Sequence, residues 1–322
     1  MRTNKFRILV INYHYIRPKF IGYGGINGVT PRDFETQISK IKQDFDIISA
    51  EQLLAILLGE ELLKRDSVLL TFDDGLKEQI EFAIPILKKL DVAAIFFTGT
   101  GHLNEGKIEL VHKIHLVRDA VAPANFIKHL NDYQKEINLE LPNDIDSLAC
   151  NKYIYDSADV ARAKYLLNFC LDDFDAEIFI NNLFEKHILS KKSAESIINE
   201  LYFSRADIEA FCSHGNFTLG THCNSHVSLA KFSLDQIVSN IGCSHVILSS
   251  LSEKYLPLVS YPFGGKESVS QTVLDGASLA GCIAGFTMDR SLVTEKSKLL
   301  SLGRFSCSDL DFDNLNLESI SS

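Results

Sequence analysis

The chain has 322 residues, and its 32 Lys+Arg against 42 Asp+Glu leave a formal charge of −10. This acidic balance speaks against a general nucleic-acid binder, which carries a basic surface excess. With 46% hydrophobic and 23% charged residues, disorder and collagen-like fibres are disfavoured, and the length suits two domains or one large α/β domain with an insertion.

Residues 7–15 are β-branched and aromatic, which predicts a buried strand ending at His14. A glycine-rich stretch at 22–28 follows; it lacks the Gly-x-x-Gly spacing and helix start of a dinucleotide site, so it reads as an ordinary loop. Thr30-Pro31 opens a helix, with Thr as N-cap and Pro in the first turn, and Phe34, Ile38 and Ile41 recur at helical spacing. A short helix over 50–58 ends at Gly59. Strand 68–72, helix 76–90 and strand 92–98 come next. Residues 105–201 break this alternation with a long, polar, helical stretch carrying Val111, Ile114 and Val117 early and Ile178, Ile180 and Leu183 late. Helix 205–213, strand 217–220, helix 234–250, strand 257–261, helix 267–279 and strand 282–287 restore it. Alternating β and α elements predict a parallel sheet or a barrel.

The longest apolar runs, 67–72 and 92–98, are strand-length and far short of the about 20 residues of a membrane span. The basic N-terminus meets an apolar run too short for a signal peptide. Seven cysteines, at 150, 170, 212, 223, 243, 282 and 307, form no Cys-x-x-Cys pair, which predicts free thiols in a reducing, cytoplasmic setting.

Three strand ends carry chemistry. Thr71-Phe72-Asp73-Asp74-Gly75 puts two adjacent carboxylates after a buried strand, a costly arrangement unless they are paired or bind a cation. The carboxyl edge of an α/β sheet is also where sites are built. A solvated turn with Asp73 capping the next helix explains the same residues. His222-Cys223-Asn224-Ser225-His226 follows another short strand, and two imidazoles four apart can converge on one metal or sit exposed in a loop. Ser260-Tyr261-Pro262-Phe263-Gly264 runs a strand into a Pro/Gly turn, which can aim backbone N–H groups at a site or merely end the strand.

Together these three segments resemble the motifs of the polysaccharide deacetylase (NodB-homology) family of carbohydrate esterases. Thr71–Gly75 is similar to its first motif, His222–His226 to its His-x-x-x-His second motif, and Tyr261–Gly264 to its third. The approach Asp207-Ile208-Glu209-Ala210-Phe211 and His214-Gly215-Asn216 is also similar, and Asn12-Tyr13-His14-Tyr15 with Val29-Thr30-Pro31-Arg32-Asp33-Phe34 resembles an N-terminal extension of one branch. The resemblance implies a distorted (β/α) barrel of the NodB-homology type with a long helical insertion. Its first part would take 1–101, the insertion and possible lid 102–200, and its second part 201–322. It further implies one divalent metal on Asp74, His222 and His226, Asp73 as general base, and the backbone N–H of Phe263 as oxyanion donor. Zinc suits two nitrogen ligands and one oxygen; cobalt, nickel and iron fit the same set.

Two family features are missing. Ser260 stands where the third motif usually begins with the Arg that orients the catalytic carboxylate; Arg304, in Leu302-Gly303-Arg304-Phe305, is the candidate substitute. No late His is present to serve as general acid, since the last histidine, His245, falls in a predicted helix. His14, at the end of the first strand, is the replacement by position, and a structural histidine there is the competing reading.

The expected function is metal-dependent hydrolysis of a linear amide, removing an acyl group, N-acetyl first, from an amino sugar. A cytoplasmic setting points to a nucleotide- or lipid-linked precursor as partner, with no nucleic acid and no membrane span. The alternatives are a deformylase or acyl-transfer enzyme on a related sugar, and a catalytically silent carbohydrate-binding relative.

Overall fold

The structure, a computed structural model, describes residues 6–18, 28–154, 156–211 and 216–320. The glycine-rich stretch at 22–27 and the end of the helix expected at 205–213 lie outside the described residues. Contacts divide the chain into two units, one holding Gly28–Lys107 and Ile198–Ser322 with the first strand, the other Ile108–Ile197.

The first unit begins with β1 (Ile8–Tyr13), α1 (Pro31–Asp44), β2 (Asp46–Ile47), α2 (Ala50–Leu57), β3 (Ser67–Phe72), α3 (Ile84–Leu90), β4 (Ala94–Thr98) and α4 (Gly101–Asn104). Local chemistry sets the helix starts. Thr30 Oγ1 accepts from the N–H of Asp33 ahead of Pro31, and Ser49 forms a capping box with Gln52. The second unit is helical, with α5 (Leu110–Ala120), α6 (Pro123–Glu136), α7 (Ile145–Lys152), α8 (Ala158–Tyr165) and α9 (Asp173–Phe184). It buries Val117, Phe126, Leu130, Ile180 and Leu183, and the Phe126 and Phe179 rings meet edge to face at 5.8 Å. After α10 (Ala194–Leu201) the first unit resumes with α11 (Arg205–Ala210), β5 (Phe217–Thr221), α12 (Leu234–Leu251), β6 (Tyr255–Ser260), α13 (Gln271–Leu279), β7 (Ala284–Phe286) and β8 (Phe305–Ser306).

Every strand pair is parallel, in the order β7-β6-β5-β4-β3-β1-β8 with β2 alongside β3. The sheet is a half-barrel wrapped by helices, the fold class expected from the sequence. The ends approach through one segment: Phe305 pairs with Ile11 of β1, and Leu302 bridges Phe286 of β7. Strands β2 and β8, two residues each, have no counterpart in the sequence reading, because two residues carry no periodicity. The helix expected over 76–90 opens instead with a π-helical turn, Gln79–Ala83, and that expected from 267 begins at Gln271, where Ser270 caps it.

Strands β1, β3 and β4 are buried on both faces, as a parallel sheet covered by helices requires. Alternate residues then go to different cores. Leu9, Ile11 and Tyr13 pack with Phe34 and Ile38 of α1 and Leu87 of α3, whereas Ile8 and Val10 pack with Leu69, Ile95, Phe97, Leu258 and Phe286 inside the barrel. On the outer face the in-register residues Tyr13, Phe72 and Phe96 stack across three strands, with ring centroids 5.4 and 4.6 Å apart.

Gly75, just past the two aspartates, has φ +59°, and a Cβ there would lie 2.1 Å from Thr98 Oγ1 on β4. Left-handed backbone and close approach both demand glycine. Gly75→Ala should lower the unfolding free energy in urea by about 2–6 kcal/mol, from backbone strain and overpacking of about 1–3 kcal/mol each. Adding Thr98→Ala should return only part of the overpacking share, because it removes Oγ1 but leaves the Thr98 Cβ 2.5 Å from the added methyl; a loss below about 0.5 kcal/mol in the single variant would contradict the tight fit.

Candidate active site

The interior of the first unit changes character near the carboxyl ends of the strands. Ile8, Val10, Leu69, Leu258 and Leu302 belong to one apolar cluster. Two residues further along each segment, on the same side of the pleat, stand Asn12, Thr71, Ser260 and Arg304, all fully buried. Asp73 follows Thr71 by the same step and is 3% exposed. A polar layer thus sits directly on an apolar one.

Arg304 and Asp73 are the centre of that layer. The guanidinium meets the carboxylate side-on, Nη1 to Oδ1 at 2.9 Å and Nη2 to Oδ2 at 2.8 Å. Its other donors go to the Thr287 carbonyl (3.1 Å), Thr71 Oγ1 (3.3 Å) and Ser260 Oγ (2.8 Å). All five guanidinium N–H groups therefore have an acceptor. Asn12 Nδ2 donates to Asp73 Oδ2 at 2.9 Å, while its Oδ1 accepts from Thr71 Oγ1. Gln79, in the π-helical turn, donates to the carbonyls of Asp73 (2.7 Å) and His14 (3.0 Å). Burial by itself would raise the Asp73 carboxyl, but the charge of Arg304, aided by His222, by the Arg304 hydrogen bonds and by His14, holds it well below the usual carboxylate range. Ser260, which stands in place of the expected Arg, is one of the acceptors that hold Arg304.

Asp74, His222 and His226 each offer one ligand atom, and these atoms all lie within 4.8 Å of one another. Asp74 Oδ1 is 3.5 Å from His222 Nε2 and 3.7 Å from His226 Nε2. The Ser260 carbonyl lies 2.7 Å from His222 Nδ1; a carbonyl only accepts, so Nδ1 carries the proton and the Nε2 lone pair faces Asp74. Burial pushes the His222 imidazole down, but Asp73 and Asp74 outweigh it and the net direction is up. A pocket that attracts a proton in this way attracts a cation. One carboxylate oxygen and two imidazole nitrogens, leaving coordination positions over, are donor chemistry that fits a zinc-like divalent ion.

The three motif loops share a backbone feature: Asp74, Cys223 and Phe263 have φ of 72°, 69° and 63°, conformations uncommon for non-glycine residues and frequent at functional sites. The Phe263 ring is half exposed and packs edge-on to His226 at 4.8 Å. His14 follows β1, close enough for a charge on its ring to act on Asp73.

Of the residues singled out from sequence, Asp73 and Arg304 form one hydrogen-bonded pair, Asp74, His222 and His226 form one donor cluster, and Phe263 adjoins that cluster. Asn12 and Gln79 were missed as site residues. Asn12 had a signal, being a polar residue at an inward position of a buried strand; Gln79 had none, because its role depends on the π-helical turn.

Asp73 titrates lower in the folded chain than in the unfolded one, so the pair's contribution is complete above about pH 4, the ordinary carboxylate value, and is lost as pH falls through the depressed folded value. Arg304→Met should lower the unfolding free energy of cation-free protein at pH 7 by about 3–5 kcal/mol, the usual effect of leaving a buried charge without its partner. The gap from wild type should close in acid, as Asp73 of the variant takes up its proton. A gap below about 1 kcal/mol at pH 7 would contradict the pair's role.

The polysaccharide deacetylase family model matches residues 61–137, under half of the chain; the match takes in Asp73 and Asp74 and ends before His222 and His226. No curated protein sequence matches the chain. Among solved structures, the deacetylase PplD of Streptococcus pyogenes in complex with acetate is similar at 18% identity, covering 98% of this chain and 99% of that one, with a TM-score of 0.61. IcaB from Ammonifex degensii is similar at 14% identity over 98% and 94% of the two chains, TM-score 0.56. The de-N-acetylase from Aggregatibacter actinomycetemcomitans is similar at 12% identity over 98% and 99%, TM-score 0.56. In sequence over residues 61–137 and in fold over nearly its whole length, the chain resembles the polysaccharide deacetylases.

Proposed function

We propose that the chain hydrolyses the acetamide of an N-acetylated amino sugar, using a divalent cation held by Asp74, His222 and His226. The observation that carries the reading is a carboxylate kept ionised by Arg304 (2.8 and 2.9 Å) on the residue next to Asp74 of that donor cluster. A cation bound there supplies Lewis acidity toward the amide carbonyl and a nearby water. Asp73 takes a proton from the water as its oxygen forms the new bond to the acetyl carbon. Arg304 and Asn12 hold the carboxylate so that it meets the water without reorienting. The backbone N–H of Phe263 donates to the oxygen that gains charge. As the C–N bond breaks, the nitrogen takes a proton from His14, with Asp73 the rival donor, and acetate and the free amine are the products.

We infer an N-acetylated amino sugar as substrate, a nucleotide- or lipid-linked precursor being the form that a cytoplasmic setting would favour. The deformylase and silent-relative readings are set aside because an acetyl-bearing partner suits the fold's likeness, and a silent relative gains nothing from a complete ligand set and a supported base. The helical unit Ile108–Ile197 contributes none of the residues named at the site, and we assign it to substrate choice. Among the described residues no helix is long and apolar enough to cross a membrane.

The test is acetate release from N-acetylglucosamine oligomers and N-acetylated sugar nucleotides by protein stripped with a chelator and reloaded with zinc, cobalt or nickel. Release that follows the cation supports the proposal, and release that ignores the chelator counts against it. Asp73→Asn should lose about 10²–10⁴-fold in kcat while retaining the cation, whereas His222→Ala with His226→Ala should lose the cation itself. Full turnover in Asp73→Asn would remove the base.

His14→Gln should lower kcat more than it raises KM and should flatten the basic limb of the pH–rate profile. An unchanged rate and profile would return the acid role to Asp73.

A further inference from the structure

The His222–His226 loop is held by a second group of residues, on helix α12. That helix buries Ile237, Ile241, Ser244 and Leu248. Asn240 and Ser244, one turn apart on neighbouring positions, interrupt this apolar face; Asn240 bonds the loop directly and Ser244 acts on it through Thr221, the last residue of β5. Asn240 Oδ1 accepts from the N–H of Asn224 at 2.9 Å and of Ser225 at 3.3 Å, and its Nδ2 donates to Ser225 Oγ at 2.7 Å. The Asn224 N–H also reaches the Asn240 carbonyl at 3.2 Å. Ser244 Oγ accepts from Thr221 Oγ1 at 2.6 Å, and Thr221 Oγ1 in turn accepts from the N–H of Cys223 at 2.9 Å. The three residues between the histidines thus all have their N–H groups held from outside the loop. One of them, Cys223, has φ 69°, a conformation that persists only where surroundings impose it.

We propose that Asn240, assisted by Ser244, is the positioning device that brings His226 onto the same cation as His222 and Asp74. His222 is fixed independently, through its backbone N–H to the Thr98 carbonyl (2.9 Å) and its Nδ1 to the Ser260 carbonyl. On the span that leads to His226, Asn240 holds the backbone N–H groups of Asn224 and Ser225, while Thr100 meets the same span through its N–H to the Cys223 carbonyl (3.2 Å) and its Oγ1 to Asn224 Oδ1 (2.9 Å), and Asn224 Nδ2 donates to Glu105 at 2.6 Å. Two polar side chains on a helix face that otherwise packs on apolar neighbours stabilise the fold less than apolar ones would, unless what they order is needed. Here they order the loop before the cation arrives, so that binding does not also have to fix its backbone.

This inference rests on the cation reading of the site, and its test separates the two. Full-length protein, stripped of metal, is titrated with Zn²⁺ against a chromophoric chelator, and the Co²⁺ form is followed by its visible absorption. Asn240→Ala should bind Zn²⁺ about 10–100-fold more weakly, the usual loss when a partner behind the ligands is removed, with an altered Co²⁺ spectrum. Asn240→Asp keeps an acceptor for the two N–H groups and should recover most of the affinity. Asn240→Ala within 2-fold of wild type, or Asn240→Asp as weak as Asn240→Ala, overturns the proposal. If Asn240→Ala does not fold, Ser244→Ala decides: weakened Zn²⁺ binding supports it and unchanged binding overturns it. His226→Ala runs alongside; if it binds Zn²⁺ like wild type, the cation reading itself fails, whatever Asn240 does.

Discussion

A guanidinium buried against a carboxylate inside the barrel is the interaction on which the rest of the site depends. Arg304 is fully buried and Asp73 nearly so, and taking two charges out of water is unfavourable unless every donor and acceptor is satisfied. The interior meets that condition with residues from four separate segments: Asn12 from β1, Thr71 from β3, Ser260 from β6 and the Thr287 carbonyl after β7. Well-packed apolar residues of the same volume in place of such a pair are often neutral or stabilising. The chain keeps the ions, and what it gains is a carboxylate of fixed orientation and fixed charge beside a cluster of cation donors.

Sheet closure and site assembly are therefore one event. The residues on either side of Arg304 join the two ends of the half-barrel, Leu302 to β7 and Phe305 to β1, so the segment that brings the ends together also delivers the guanidinium. On the outer face, stacking of Tyr13, Phe72 and Phe96 fixes the register of β1, β3 and β4. By the period of two, that register sets the height at which Asn12 and Asp73 enter the interior. The three left-handed residues Asp74, Cys223 and Phe263 then turn the chain away from the strand ends at the level of the polar layer.

How much of this was legible in the sequence follows from the range of each interaction. Strands with buried runs and helices with caps are local patterns, and they predicted a parallel sheet or barrel; the distorted barrel and the grouping of Asp74, His222 and His226 came from the resemblance of the three strand-end motifs to a known family. The Ser260 position illustrates the limit. Read alone it is a lost arginine; in the folded chain it accepts a hydrogen bond from an arginine 44 residues later, a pairing that no local pattern carries. Gln79 and Asn240 escaped for the same reason, since a single polar residue on a helix looks solvated until its partners are known. The expected insertion at 102–200 and the unit found at 108–197 differ at their edges because α4 and the turns around it still pack with the barrel unit.

A double-mutant cycle on Asp73→Asn and Arg304→Met, measured by urea unfolding of cation-free protein at pH 7, tests the central interaction most directly. Each single variant breaks the pair, and the double variant removes both charges. The account predicts a coupling of about 1–3 kcal/mol, with the double variant more stable than Arg304→Met alone because no buried carboxylate is left without its partner. Additivity within about 0.5 kcal/mol would contradict it, and would mean that the carboxylate is held by something other than Arg304.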